Sequence, residues 1–366
     1  MGLIIPPTTT VYSEAPSDDV WRHLRAYTTI ENIGELLGRW HESPQSVISD
    51  DIAASIEQAG EYFEAAAVTS LSTLPVQIYY GTLSLLRALT LVVSNQPLKI
   101  NNHGMSHRWE DDGEIVLRNH YAVLSDSRSG GLFQYCSILP NSQIFRGGCK
   151  VSLSDSLAVV PEISSEFERA LGSTPRAIPI LRTLKSDGTI IDRVVNGVNI
   201  LPDAEITSIP GLSDTYLRPQ IVNTTDYLLR PRVGSHLDIT ILDTSGGRFL
   251  SIGTNSNRGV VHVHLLGAHL VSLFLFCSLS RYHPSTWRTF CTTSGRERLL
   301  VEDYLRHCKR YIPNEVLNLL EERRFVFTTE RVSDKTVGDY VNRSEVEEMV
   351  SEAVDKQLLF NRRRQS

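Results

Sequence analysis

Fifteen consecutive residues, Leu265 to Leu279, are apolar around nearly the whole circumference of a helix, and few folds can accommodate them. A bilayer span needs about 20 such residues, and this run falls short and carries His269. It is therefore expected at the centre of a helical bundle, enclosed by other segments of the chain. With 366 residues, 41% of them hydrophobic and 21% charged, the chain has enough apolar material to surround it.

The first hundred residues supply suitable partners. Ser17 can cap a helix whose apolar positions Val20, Trp21, Leu24 and Tyr27 fall on one face. Ser49 can cap a second, with Ile52, Ile56, Tyr62 and Phe63, which Gly60 weakens without ending. Pro75 suits the first turn of a third, which runs through Ile78, Tyr79, Leu83, Leu86 and Leu89 until Asn95, Gln96 and Pro97 stop it. Leu83, Leu86, Leu273 and Phe274 are expected core residues.

The centre changes period. Ile180 to Lys185 and Thr189 to Val195 flank Asp187-Gly188, a hairpin turn signal. His236 to Leu242 and Arg248 to Ile252 form a second such pair, and Ser164 to Leu171 fits a short helix between strands. After Pro284, amphipathic helices are expected over Leu299 to Tyr311 and Asn314 to Arg323, divided by Pro313. Ser344 and Glu347 form a capping box opening a last helix, whose segment Glu345 to Arg364 carries five acidic and four basic side chains. That mixture suits a solvated face, and the apolar stripe beside it suits a partner or a second copy of the chain. The fold class expected is α+β: a helical bundle formed by N- and C-terminal segments, with a strand-rich antiparallel insertion in the middle. Its divisions fall at 1–100, 101–261, 262–330 and 331–366.

Charge and cysteine usage narrow the function classes. Lys plus Arg is 36 against 42 Asp plus Glu, a net charge of -6, so no global attraction to nucleic acid or an anionic membrane is expected. The five cysteines show no C-x-x-C pair, which suits a reducing compartment rather than a disulfide framework or a cysteine zinc site. Met1 to Thr10 has neither a basic segment nor a long apolar run, so a cytoplasmic protein without a membrane anchor is expected.

Two short segments carry the candidate chemistry. His103, Gly104 and His107 form HGMSH after the third helix, where titratable rings and a close-approach glycine suit an anion or a proton-transfer pair. A helical i, i+4 pair could share a metal, and the bland reading is a polar loop. Arg281, Tyr282, His283 and Trp287 sit where the buried helix meets Pro284. They suit either a helix-end pocket, with Arg281 holding an acidic group and His283 acting on it, or a network bracing the helix end around Trp287. His262 and His264 would lie on one side of a strand, with no carboxylate or cysteine motif to complete a metal set. Gly147-Gly148 and Gly246-Gly247 read as turns, and no nucleotide-cofactor fingerprint or metal motif is present.

Ala59 to Leu91 (AGEYFEAAAVTSLSTLPVQIYYGTLSLLRALTL), followed by Asn102-His103-Gly104, and Val271 to Leu320, with SLFLFCSLSRYHPSTW and YIPNEVLNLL, together resemble the bacterial YaaC-like family. That family brings no activity to carry over. Within the same stretch, A-x-x-YF-x-A followed by YY-x-x-x-x-LL-x-A resembles the helical hairpin of HEPN domains. HEPN ribonucleases carry an Arg and a His a few residues apart on a late helix. Here Arg230 to His236 and Arg258 to His264 have that spacing, and neither pair lies in helical sequence. The absence of a complete catalytic constellation, together with the HEPN resemblance, points to an interaction or sensing subunit of a bacterial stress or antiviral system, bound to another protein or to itself. The alternative is an enzyme acting on RNA or a nucleotide through Arg281 and His283, with His103 and His107 from the other half. The sequence leaves open whether the chain is an enzyme.

Overall fold

The computed structural model describes residues 8–109, 117–140, 147–184, 190–195, 212, 216–217, 220–221, 226–230, 240–293 and 295–329. The first strand, β1 (Thr8–Tyr12), precedes α1 (Pro16–Arg25), α2 (Ile30–Trp40), α3 (Ser49–Val68) and α4 (Leu74–Ser94). The insertion follows with β2 (Met105–Trp109), β3 (His120–Leu124), α5 (Gly131–Ser137), β4 (Lys150–Ser152), α6 (Leu153–Leu157) and α7 (Ser164–Leu171). It continues with β5 (Ala177–Leu184), β6 (Ile190–Val195), β7 (Gln220–Ile221), β8 (Asp226–Leu229), β9 (Thr240–Leu242), β10 (Arg248–Ser251), β11 (Thr254–Ser256) and β12 (Gly259–Val261). Helices return as α8 (Leu265–Tyr282), α9 (Pro284–Thr292) and α10 (Arg296–Leu320), and β13 (Arg324–Thr328) closes the described chain.

The α+β architecture is the expected one. Helix α8 packs on α4 and α6, and α10 on α4, α1 and α7, so N- and C-terminal helices share one core. Both α4 and α8 are long and apolar enough to cross a membrane by length and composition, and both are mostly buried among their neighbours. Leu86, Leu273 and Phe274 are buried as expected, whereas Leu83 is only partly buried against the core.

The insertion has two main sheets. The order β2-β3-β4 is antiparallel and lies against α8, and β7-β8-β6-β5-β10-β9 forms an antiparallel sheet with a small core of its own. Both expected hairpins pair as read: Ile180 faces Val194 across β5 and β6, and Arg248 faces Leu242 across β10 and β9. Residues 185–189 and 236–239 of those hairpins, and the expected last helix beyond residue 329, lie outside the described residues.

Four features depart from the sequence reading. Helix α2 was not expected, because its Gly34 and Gly38 depress helix propensity, yet Ile33, Leu36 and Leu37 bury one face fully. Helix α1 starts with Pro16 in its first turn after Ala15, not from a Ser17 cap, and Ser49 is already inside α3. Pro313 does not divide a helix, and α10 runs through it. Its missing N–H costs about 3 kcal/mol, which the burial of Tyr311, Ile312, Val316 and Leu317 offsets. Finally, β1 pairs in parallel with β13, from Thr8 opposite Arg324 to Tyr12 opposite Thr328, tying the two ends of the described chain together.

Candidate site at the end of the buried helix

The motif Tyr79-Tyr80-Gly81 lies in the middle of α4, and each residue does something different. Tyr79 points inward, 1% exposed, and its hydroxyl meets His103 Nδ1 at 2.9 Å. Tyr80 points to the rim, stacks on Tyr62 and accepts a hydrogen bond from Arg281 Nη1. Gly81 lets α3 approach, since a Cβ there would come within 2.8 Å of the Phe63 ring. Phe63 is buried, so its ring cannot simply swing away. Gly81→Ala is therefore expected to destabilise the protein by about 1–3 kcal/mol despite alanine's better helix propensity. A denaturant midpoint equal to or above wild type would contradict that close crossing.

After α4 the chain turns at Asn102, whose Oδ1 accepts the Gly104 N–H at 2.8 Å. Gly104 adopts φ +74, and a Cβ there would come within 3.2 Å of the Leu132 backbone nitrogen, so both conformation and space disfavour any side chain. This turn sets His103 against Tyr79 and Phe274 and launches β2. HGMSH is thus half loop and half strand, and the helical i, i+4 metal geometry does not form. Along β2 and β3, His107 and Trp109 share a face with Ala122 and His120, their cross-strand partners, and α8 packs against these strands.

Helix α8 ends beside both groups. Arg281, in its last turn, is exposed, with its guanidinium carbon 5.0 Å from the Tyr282 ring centroid and 5.7 Å from that of Tyr80. The Cys277 thiol, one turn back, lies within hydrogen-bonding reach, and burial pushes that thiol up to about 11 against the pull of the arginine. The expected partner was an acidic group, and the structure supplies a phenol and a thiol instead. Among the described residues no carboxylate lies within ion-pairing distance of Arg281.

His283 leaves the helix with φ -131 and ψ 53, outside the α region that the following Pro284 disfavours. Its ring centroid is 4.0 Å from that of Trp109 and 5.9 Å from that of His107. His107 Nε2 meets His120 Nδ1 at 3.1 Å, so one ring donates and the other accepts. His120 is 1% exposed, and among the described residues its Nε2 has no hydrogen-bond partner. Trp287 is core: its indole N–H donates to Ser72 O at 3.0 Å and pins α9 to the turn between α3 and α4.

The four residues singled out from sequence therefore gather at one end of α8, in two adjoining groups. One is a cationic pole of Arg281, Tyr80, Tyr282 and Cys277, with His103 close enough to feel the arginine's charge. The other is a ring cluster of Trp109, His283, His107 and His120. The sequence reading did not include Tyr80, Cys277, Trp109 or His120 in the site. Only the strand register, which places His120 opposite Trp109, reveals the last of these.

His262 and His264 do not form a strand pair. His262 is buried after β12, and His264 caps α8, accepting the Leu266 N–H at Nδ1 while Nε2 lies 3.3 Å from Glu315. Among the described residues no three His, Cys, Asp or Glu side chains are placed to hold a metal ion.

Polar groups are also buried deeper in the bundle. His269 Nδ1 and Tyr304 Oη are 3.1 Å apart, and His307 Nε2 stands 3.4 Å from Glu162 Oε2, an ion-pair distance without hydrogen-bond alignment. Glu162 Oε1 also accepts the Thr244 N–H at 3.1 Å, tying the turn between β9 and β10 to the helices.

Burial, with neighbouring imidazoles adding to it, holds His107 and His120 down to about 4, and burial beside Arg310 holds His307 down to about 3. Between those values and the ordinary 6.5 the folded state binds fewer protons than the unfolded chain. Their contribution to stability is present above 6.5 and is lost as pH falls toward 4. Burial pushes Glu162 up to about 7, with the opposite sign: its contribution is full below 4.5 and lost as pH rises to 7. Three rings outweigh one carboxyl, so the melting temperature is expected to fall on acidification from 6.5 to 4. Glu162→Gln should steepen that fall by removing the opposing group. A wild-type melting temperature that rises through this window would contradict the assignment.

A family model described as YaaC-like Protein matches residues 39–320, a stretch that contains every residue of the two groups at the end of α8. No curated protein and no solved structure matches the chain.

Proposed function

Because the chain belongs to the YaaC-like family, and the stretches that first suggested that family also build the end of α8, we infer that it is a sensing or interaction protein that recognises an anionic group there. The observation that carries this reading is Arg281. Its exposed guanidinium rests between two tyrosine rings, bonded to a phenol and close to a thiol, with no carboxylate in reach among the described residues. A fork held in this way loses little conformational freedom when a phosphate or carboxylate docks bidentately.

Recognition is favoured over proton transfer by the state of the rings. His107 and His120 bond to each other and are neutral near pH 7, so neither is poised to deliver a proton. The cellular setting we propose is a bacterial stress or antiviral system in the cytoplasm, with another subunit or a second copy as partner. Its support is the likeness of the α3–α4 sequence to a HEPN hairpin. The enzyme reading, an activity on RNA or a nucleotide, draws on one observation. His283 lies at the rim two residues from Arg281, and burial keeps it neutral enough to serve as a base.

The test is to purify the wild type and Arg281→Ala from the native host and identify by mass spectrometry the small molecules each releases on denaturation. An anion enriched with the wild type and depleted with the variant is expected. Identical extracts would overturn the reading.

A further inference from the structure

We propose that the anionic ligand is a mononucleotide, its phosphate on Arg281 and its base against the wall formed by Trp109 and His283. This rests on the anion-recognition reading and adds the ligand's second half. The two poles have different chemistry. The first carries a positive charge and a fixed donor fork. The second is flat, heteroaromatic and uncharged at neutral pH, because burial lowers His283, His107 and His120 alike.

The residues that anchor the two poles, Arg281 and His283, are two positions apart in the chain, with their Cα atoms at most about 7 Å from each other, so both poles are rooted at the same end of α8. A ligand that fits both must have an anion at one end and a flat ring at the other. Indole and imidazole faces suit stacking by a base, and imidazole edges supply both a donor and an acceptor, as base edges do. A second anion would find no partner in the neutral cluster. The net charge of -6 weighs against a long polyanion and toward a single nucleotide, because polymer binding depends on neutralising many phosphates at once.

The experiment titrates the full chain with inorganic phosphate, with adenosine, with the four nucleoside monophosphates and with a short single-stranded RNA. Wild type is compared with Trp109→Ala and with His283→Ala, since both side chains are half-buried. The expected result is that at least one monophosphate binds about tenfold or more tightly than either phosphate or adenosine. Either wall variant should remove most of that advantage and leave phosphate binding unchanged.

If phosphate binds as tightly as every monophosphate and neither variant matters, the nucleotide assignment falls while the anion reading stands. If no phosphate-bearing probe binds, both fall. RNA that binds far more tightly than any monophosphate, with a steep salt dependence, would overturn the mononucleotide in favour of a polymer.

Discussion

Asp192→Ala lowers the stability of the strand-rich insertion by about 3–5 kcal/mol. Asp192 is fully buried, and both its oxygens are engaged. Arg182 Nε donates to Oδ1 at 2.7 Å and Nη2 to Oδ2 at 2.6 Å, across the β5–β6 pair that sets the two residues opposite each other. The Tyr216 hydroxyl donates to Oδ2 at 2.8 Å. The Arg182 side chain is itself 13% exposed, so removing the carboxylate takes two charge-assisted hydrogen bonds from a guanidinium where water reaches it poorly. Hydrogen exchange should quicken across β5 and β6. Replacing both partners by apolar residues, Arg182→Met with Asp192→Leu, should recover much of the loss, because the cost lies in separating one member of a buried ion pair from the other. A single variant within about 1 kcal/mol of wild type would show that the pair is not holding this sheet.

Leu273→Ala is expected to cost about 2–5 kcal/mol. Leu273 is 0% exposed in the middle of α8, in the core that the N- and C-terminal helices share. The prediction extends to cooperativity. Leu86, also 0% exposed, sits on α4 in the same core, so Leu86→Ala and Leu273→Ala should shift one common transition. Separate transitions, or stable proteolytic halves cut near residue 260, would contradict a single bundle.

The strongly periodic helices could be read from the sequence because burial of an apolar face dictates their pattern. The apolar run in α8 needed no other information to be placed inside. What escaped depended on contacts between distant residues. Helix α2 is held by Ile33, Leu36 and Leu37 against propensity, and Pro313 is tolerated because its flanks are buried. Asp192 and Arg193 are adjacent polar residues in β6, and only the sheet decides that Asp192 faces the core. The candidate site was half legible. Arg281, His283, His103 and His107 stand next to helix breaks and a glycine turn, which are visible locally. Tyr80, Trp109 and His120 join them only through packing of α4, β2 and β3 against α8. The half-buried Glu162 and His307 gave no local signal, because each looks like an ordinary charged surface residue until the bundle packs around it.

The most direct measurement of the central claim, that Arg281 is a recognition residue, is a titration of wild type and Arg281→Lys with inorganic pyrophosphate, with melting temperatures taken on the same samples. Lysine keeps the charge and loses the planar fork. The account predicts binding weakened about tenfold or more at an essentially unchanged melting temperature, because the arginine is exposed and its hydrogen bond goes to the half-buried Tyr80 at the rim. Unchanged affinity, or a melting temperature that falls in step with binding, would contradict it.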